Sequence, residues 1–345
     1  MADAVQKTDV VIIGAGPVGL FAIFELGMLK LKAHVVDSLD MAGGQCAALY
    51  PEKPIFDIPA YPQIMAGDLV ERLVEQAAPF DPVYHLGQQA TALARDEAGL
   101  WRVTTSGGAT IAAHAVIIAA GAGAFGPNRP PLPGIETYEE AGPGVGVHYM
   151  VRRREDFRDR TLVIAGGGDS ALDWTVSLAE VAKKIYLVHR RPKFRGAPET
   201  VSQMEALAAD GRVVEKVIPY QLSGLEGAEG ALSAVIVRTL EGETRALEAD
   251  ALLAFFGLSM NLGPIADWGL ALDKSHVTVQ PTTCETSVPG IFAIGDIVHY
   301  EHKLKLILTG FAEAASAAHA IRPIARPGEV LHWEYSTTKG VPDAA

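Results

Sequence analysis

Two stretches of this chain repeat one pattern of apolar residues and glycines. In each stretch a short β-branched run ends on a glycine turn, a helical segment follows, and a second apolar run ends the unit. The first copy has a predicted strand at 8–13, a helix at 17–30 and a strand at 33–36. The second has a strand at 161–165, a helix to about 182 and a strand at 185–188. Both patterns predict a βαβ unit with buried parallel strands.

Shorter alternating runs follow each βαβ unit and predict small antiparallel meanders. Apolar runs ending on glycine near 121 and 257 then echo each other, and a helix is predicted at about 309–321 after a strand at 288–296. A segment rich in Gly and Pro at 42–61 is predicted to be a loop. The internal repeat predicts an α/β protein with two Rossmann-like, three-layer ββα nucleotide-binding domains. We place one discontinuous domain at 1–122 and 262–345, and the other at 123–261. The predicted meander strands lie near 89–95, 101–105 and 109–112 in the first half, and near 232–238 and 244–247 in the second.

The first glycine turn has the spacing of a dinucleotide-binding fingerprint. Gly14 permits the tight turn, Gly16 lets the backbone approach a pyrophosphate, and Gly19 allows close packing of helix and strand. Pro17 stands in the first helical turn, where its missing N–H is not needed. Asp37 ends the second strand, where its carboxylate accepts hydrogen bonds from ribose hydroxyls and repels a 2′-phosphate. The site is therefore predicted to take FAD or NAD; an ordinary glycine-rich turn is the alternative.

The second glycine turn is followed by cations where the first is followed by an acid. Its third position is Ala171, which the fingerprint accepts, and the following strand ends in His189-Arg190-Arg191. Guanidinium groups match phosphate oxygens two at a time, so this cluster predicts the 2′-phosphate of NADP. A solvated basic loop is the alternative. The residues assigned to the NADPH/NADP⁺ site are Gly166, Gly168, Asp169, Ser170, Arg190, Arg191 and Arg195.

Composition narrows the function classes further. The 345 residues carry a net charge of −12, which argues against a nucleic-acid partner. The two cysteines, Cys46 and Cys284, form no C-x-x-C and are predicted to be small buried hydrophobes. No apolar run reaches about 18 residues, so no membrane association is expected. The N-terminus lacks a basic segment before its first apolar run, and a cytoplasmic location is expected.

Several motifs in this order resemble one family. They are Gly14–Gly19, Gly43-Gly44-Gln45, Gly166–Ala171, His189-Arg190-Arg191 with Phe194-Arg195, and Gly295-Asp296. The chain resembles the thioredoxin-reductase-like flavoproteins, and among them the ferredoxin/flavodoxin–NADP⁺ reductases. The resemblance implies an oxidoreductase with FAD and NADPH, a ferredoxin or flavodoxin partner, a homodimer, and no catalytic acid or base in the protein.

The resemblance also implies residues for the FAD site. Asp37 would bind the ribose and Asp296 the ribityl chain. Tyr50 would stack on the flavin, with Tyr335 of the C-terminal tail stacking on the opposite face. The remaining residues carried over in this way are Gly44, Gln45, Ala90, Phe125 and Thr337.

A cysteine pair that accepts electrons from the flavin would distinguish a thioredoxin reductase from a ferredoxin reductase. A thioredoxin reductase needs a C-x-x-C before the second Rossmann strand, and the segment 144–150 contains no cysteine. Two other functions stay open: an NADPH-dependent flavin diaphorase or quinone reductase, and a non-catalytic NADPH-binding redox sensor. An acidic partner protein would need a local basic patch. The candidates for it are Arg152, Arg153, Arg154, Lys303 and Lys305.

Overall fold

A computed structural model of the chain describes residues 5–121, 123–139, 141–228, 230–330 and 340. The chain divides into two units. One contains Met1–Phe125 with Met260–Ala345, and the other contains Gly126–Ser259. The chain passes between them through two strands, Ala124–Pro127 and Leu258–Asn261.

A parallel sheet of five strands forms the centre of the first unit. Val10 pairs with Ala33 on one side and with Ala115 on the other. The β-branched run Val10–Ile13 therefore lies in the middle of the sheet, where both faces are covered. In spatial order the strands are Ile291–Ala293, Ala115–Ile118, Val10–Ile13, Ala33–Val36 and Val83–His85.

Alternate residues of the central strand pack into different layers. Val10 and Ile12 belong to the core formed with the helices Pro17–Met28 and Ile307–Ala325. Val11 and Ile13 belong to the core formed with a smaller sheet. This period of two produces the helix, sheet and sheet layers of the unit. The smaller sheet consists, in order, of Gln6–Lys7, Thr110–Ala113, Trp101–Thr105 and Ala90–Arg95.

Shorter elements complete the first unit. They are the helices Gly44–Ala48 and Ala66–Ala77, the 3₁₀ turns Ala78–Phe80, Gly263–Asp267 and Gly295–Ile297, the strands Pro54–Ile55 and Ile64–Met65, and the strands Leu272–Asp273, His276–Thr278 and Val298–His299.

The second unit repeats the same layers. Its parallel sheet of five strands packs on a three-stranded antiparallel sheet through Val163, Val188 and Val235, among others. In spatial order the parallel strands are Gly146–His148, Ala251–Ala254, Thr161–Ala165, Lys184–Val188 and Val214–Val217. The antiparallel strands are Gln221–Ala228, Ala231–Arg238 and Thr244–Glu248. The helical segments are Glu136–Glu139, Arg154–Phe157, Asp169–Leu178 and Pro198–Asp210.

The predicted α/β fold with two Rossmann-like units is confirmed, including both meanders. The prediction of a loop at 42–61 was wrong, because this segment contains the helix Gly44–Ala48 and the strand Pro54–Ile55. A helix of five residues has no periodicity to detect and depends on tertiary contacts. One of these contacts is the burial of Cys46, which is 2% exposed. The helix Pro198–Asp210 was not predicted from the sequence.

Both cysteines are buried and unbonded, as predicted. Burial raises the pKa of the Cys46 thiol to about 11 and that of Cys284 to about 12, so both behave as neutral apolar groups. Across the described part of the chain, none of the helices is long and apolar enough to cross a membrane.

A pair of buried histidines makes the first unit sensitive to acid. His34 Nδ1 and His85 Nε2 lie 3.0 Å apart on neighbouring strands. Burial lowers the pKa of both imidazoles, and the charge of His85 lowers that of His34 further. An unfolded histidine binds a proton below about pH 6.5, whereas the folded pair resists it. The contribution of this pair to the free energy of unfolding is therefore fully present above about pH 6.5, and it is lost as the pH falls below that value.

We expect the melting temperature to fall by a few degrees between pH 7.5 and 5.5, for a loss of about 1 kcal/mol. His85→Gln should flatten this dependence, because it removes one of the two titrating rings. His302→Gln, at a side chain that is 92% exposed, serves as the matched control and should keep the wild-type slope. Equal slopes in wild type and His85→Gln would contradict the assignment.

Candidate functional site

The first glycine turn is closed against the neighbouring backbone. Gly14 has a φ of +112°, and a Cβ there would lie 2.3 Å from the carbonyl oxygen of Ala119. A Cβ at Gly19 would lie 2.0 Å from the carbonyl oxygen of Gly14. Gly16 is the N-cap of the helix Pro17–Met28 and offers no side-chain cap. The first N–H groups of that helix are thus left for an anionic ligand.

A second glycine pair extends this cradle. The N–H of Gly43 donates to the carbonyl of Ala15 at 2.8 Å, which docks the short helix onto the turn. Gly44 has a φ of +55°, and a Cβ there would lie 3.0 Å from the Cα of Gly16. Gln45 follows. Together with Gly14, Gly16 and Gly44 it lines a cleft in the first unit, called the first cleft below. A larger residue at position 44 would therefore crowd the backbone of the first glycine turn.

Asp37 is held rigidly at the end of its strand. Its Oδ2 accepts the N–H of Ala15 at 2.6 Å, and its Oδ1 accepts the N–H of Leu39 at 2.8 Å. Burial raises the pKa of this carboxyl, while the two backbone N–H groups oppose the increase. Each oxygen of a carboxylate has a further lone pair, so Asp37 can also accept from a ligand hydroxyl in the cleft that it lines.

Tyr50 and Asp296 line the same cleft. The Tyr50 hydroxyl lies 3.9 Å from Cys46 Sγ, and burial raises the pKa of Tyr50 far above its usual range, so the phenol is neutral. The Lys53 ammonium lies 5.8 Å from the centre of the Tyr50 ring. Asp296 is exposed and makes no hydrogen bond or ion pair with another described residue. Its carboxylate is thus available to a ligand.

The structure brings most of the predicted residues of the first site into one cleft. Gly19 lies behind the turn in a packing role, the side chain of Phe125 is outside the described part, and Tyr335 and Thr337 lie outside the described residues. The predicted residues on the cleft wall are Gly14, Gly16, Pro17, Asp37, Gly44, Gln45, Tyr50, Ala90 and Asp296. Those that the sequence did not indicate include Ser38, Leu39, Cys46, Gln88, Gln89, Leu262, Pro264, Ile265 and Ile307.

The second glycine turn is equally tight. A Cβ at Gly166 would lie 2.8 Å from the carbonyl oxygen of Phe255, and one at Gly167 would lie 2.2 Å from the ring of His189. A Cβ at Gly168, the N-cap of the next helix, would meet open space. Gly166 and Gly168 both line a cavity of about 930 Å³ within the second unit. The start of a helix again faces an open site.

Cations dominate the polar wall of that cavity. Arg190 and Arg195 line it, and the N–H of Arg195 donates to the carbonyl of Gly167 at 2.8 Å. Asp169 and Ser170 lie at the helix start on the same wall, and Asp169 Oδ1 accepts the N–H of Ala197 at 2.9 Å. The excess of positive charge suits a ligand phosphate.

Two of the arginines are placed differently from what the sequence indicated. Arg191 is exposed and lies outside the cavity wall, whereas Arg238 contributes to it from a strand of the antiparallel sheet. No motif links Arg238 to the glycine turn, so no sequence pattern predicts its place in this wall. Burial, and then the charges of the neighbouring arginines, lower the pKa of His189, so the imidazole is neutral at pH 7.

The basic patch predicted from the sequence is corrected at one position. The Lys303 side chain is only 4% exposed and forms an ion pair with Glu313, so it cannot be part of a surface patch. Arg154 pairs with Glu180. Arg152, Arg153 and Lys305 are exposed. The burial of Lys303 could not be predicted from its place in a loop, because it depends on Glu313 of the last helix.

Two Rossmann-like units, each with a glycine turn at an open site, define a class of dinucleotide-dependent oxidoreductases. The family model described as pyridine nucleotide-disulphide oxidoreductase matches residues 8–320. The ferredoxin–NADP reductase of Paramagnetospirillum magneticum is 60% identical over 98% of this chain and 99% of its own length. That of Granulibacter bethesdensis is 62% identical over 97% and 94%. The chain therefore belongs to the pyridine nucleotide-disulphide oxidoreductase family, and within it to the group of these ferredoxin–NADP reductases.

Solved structures support the same fold. Thioredoxin reductase of Lactococcus lactis matches with a TM-score of 0.77 at 23% identity, covering 92% of this chain and 99% of its own. Thioredoxin reductase of T. acidophilum matches with a TM-score of 0.78 at 21% identity, covering 92% and 98%. At this identity the likeness concerns the fold alone.

Proposed function

We propose that this protein is a ferredoxin–NADP⁺ reductase, with FAD in the first unit and NADP(H) in the second. The observation that carries the proposal is the pair of unlike sites: an acid follows one glycine turn and a cationic wall follows the other. The high identity to ferredoxin–NADP reductases over nearly the whole chain supports the same function. Bound FAD supplies the exchange between the two-electron chemistry of NADPH and the one-electron chemistry of ferredoxin.

The residues of the first cleft fit FAD. Gly14, Gly16 and Gly44 line the cleft with backbone alone, and the helix N-terminus that follows Gly16 would meet the pyrophosphate. Asp37 is oriented by two backbone N–H groups to receive ribose hydroxyls. The Asp296 carboxylate has no partner among the described residues and is suited to the ribityl hydroxyls. In this proposal the protein's part is to bind and orient the cofactor.

The second cleft fits NADPH. Arg190 and Arg195 lie on its wall, where guanidinium groups can hold a 2′-phosphate. The pyrophosphate would meet the free N–H groups that follow Gly168. An acid in place of these arginines would repel the 2′-phosphate and favour NADH.

Electrons would leave from the flavin directly. The protein has two cysteines, and Cys46 and Cys284 are both buried and unbonded. The segment where thioredoxin reductases carry a C-x-x-C contains the strand Gly146–His148. A dithiol relay is therefore not available, and a one-electron protein acceptor, ferredoxin or flavodoxin, is proposed instead.

The proposal extends to features beyond the described residues. We propose a cytoplasmic homodimer in which Phe125, Tyr335 and Thr337 complete the FAD site. Residues 1–122 with 262–345 would form the FAD-binding domain, and 123–261 the NADP-binding domain. Arg152, Arg153 and Lys305 remain the candidates for contact with an acidic partner.

A reductase assay tests the proposal. The purified protein should be yellow, should oxidise NADPH much faster than NADH, and should reduce cytochrome c only after ferredoxin or flavodoxin is added. Rapid turnover with a quinone and none with either protein would instead identify a diaphorase. A colourless protein that binds NADPH without turnover would indicate a redox sensor.

A further inference from the structure

The turn that carries Asp296 is held from behind by one buried carboxylate. Glu313, on the last helix, accepts the backbone N–H of Gly295 at 2.7 Å. The same carboxylate accepts the Tyr300 hydroxyl at 2.6 Å and forms an ion pair with the Lys303 ammonium. One side chain therefore joins the turn, the loop after it and the helix.

The ion pair is shielded from water. The side chains of Lys303 and Glu313 are each 4% exposed. Desolvating two charges is costly, and removing one partner leaves the other uncompensated. Such a pair is a poor device for stability alone, since apolar residues of similar size would serve as well.

Its location suggests what it does. Gly295, Asp296 and Ile307 all line the first cleft, and Glu313 contacts the first of these directly. In a region with little water, charges act over longer distances than at the surface. An unbalanced charge at this position would therefore be felt in the cleft.

We propose that Lys303 and Glu313 are positioning residues of the flavin site, which fix the Gly295–Asp296 turn through a charge-neutral buried pair. This inference rests on the proposed function, because it requires FAD in the first unit. Neither residue needs to touch the cofactor. Glu313 acts through the N–H of Gly295, and the ion pair with Lys303 balances the charge of the carboxylate and holds it in place.

The test is the reduction potential of the purified FAD-bound protein, measured by dye-coupled titration on the wild type and on each variant under the same conditions. Glu313→Gln leaves a buried cation, which favours the more negative reduced flavin, so the potential should rise. Lys303→Met leaves a buried anion, so the potential should fall. The double variant has no buried charge and should return towards the wild-type value.

Three further variants separate positioning from bulk stability. Lys303→Arg retains the cation and should have the wild-type potential. Arg72→Met removes a cation that is 66% exposed, pairs with Glu75 and lies outside the cleft wall, and it should leave the potential unchanged. Tyr300→Phe keeps both charges but removes one hydrogen bond to Glu313. It should raise the dissociation constant for FAD about two- to tenfold with little change in potential.

The outcomes distinguish this inference from the proposed function. Wild-type protein without FAD would overturn the function itself. FAD-bound variants whose potentials shift in the same direction, or not at all, would overturn only the positioning role. If Glu313→Gln and Lys303→Met do not fold, the other two variants decide. An unchanged FAD dissociation constant in Tyr300→Phe would contradict the proposal, and so would a shifted reduction potential in Lys303→Arg.

Discussion

Replacing Arg190 and Arg195 together by alanine should raise the KM for NADPH about 100-fold or more and abolish the preference over NADH. Both side chains lie on the wall of the second cavity. Each charge-assisted hydrogen-bonded contact with a phosphate contributes about 1.5–3 kcal/mol, and every 1.4 kcal/mol is a factor of about ten. Turnover with NADH should be unchanged, because NADH lacks the phosphate that these guanidinium groups hold.

The matched control is Arg212→Ala in the same unit. Arg212 is 82% exposed and pairs with Asp210, away from the cavity wall. Steady-state kinetics with NADPH and NADH on all three proteins give the comparison. An equal loss with both nucleotides would mean that the arginines support the fold rather than the 2′-phosphate.

Replacing Asp37 by alanine should yield protein that is purified without FAD. The change removes the acceptor for two ribose hydroxyls, and about 3 kcal/mol of lost charge-assisted bonding lowers affinity about 100-fold. It also leaves the N–H groups of Ala15 and Leu39 without their acceptor, which loosens the glycine turn. The expected readouts are loss of the yellow colour and a lower melting temperature.

Asp40→Asn is the control for this experiment, because Asp40 is an exposed carboxylate three residues away. It should bind FAD like the wild type. FAD affinity follows from quenching of flavin fluorescence on addition to apoprotein. If the Asp37→Ala protein retained all of its FAD, the assignment of FAD to this cleft would be wrong.

The paired architecture could be predicted from the sequence because its causes are local. Glycines at fixed spacing, β-branched runs and acid or cation at the strand end each act within about 30 residues. Gly14 and Gly19 show why: any side chain there would collide with the neighbouring backbone. The resemblance then added Tyr50 and Asp296, which local pattern alone would have left as an ordinary loop tyrosine and a helix cap.

Other parts of the sites depend on distant partners. The helix Gly44–Ala48 is too short to form from its own propensity and exists because it docks on the glycine turn. Gln88 and Gln89 line the first cleft because they directly precede the strand Ala90–Arg95, which begins at that cleft. Arg238 reaches the second cavity from a separate sheet.

The sequence by itself determined the fold class, the two glycine turns and the sign of the charge that follows each, because these depend on spacing and residue type within one βαβ unit. The tertiary structure alone decided which charges face solvent. The sequence predicts Lys303 as a candidate surface cation, yet its side chain is buried against Glu313, which contacts the turn of Asp296. Burial is a property of the packed elements around a side chain, and a carboxylate ten residues away becomes a partner only when the helix that carries it packs against the loop.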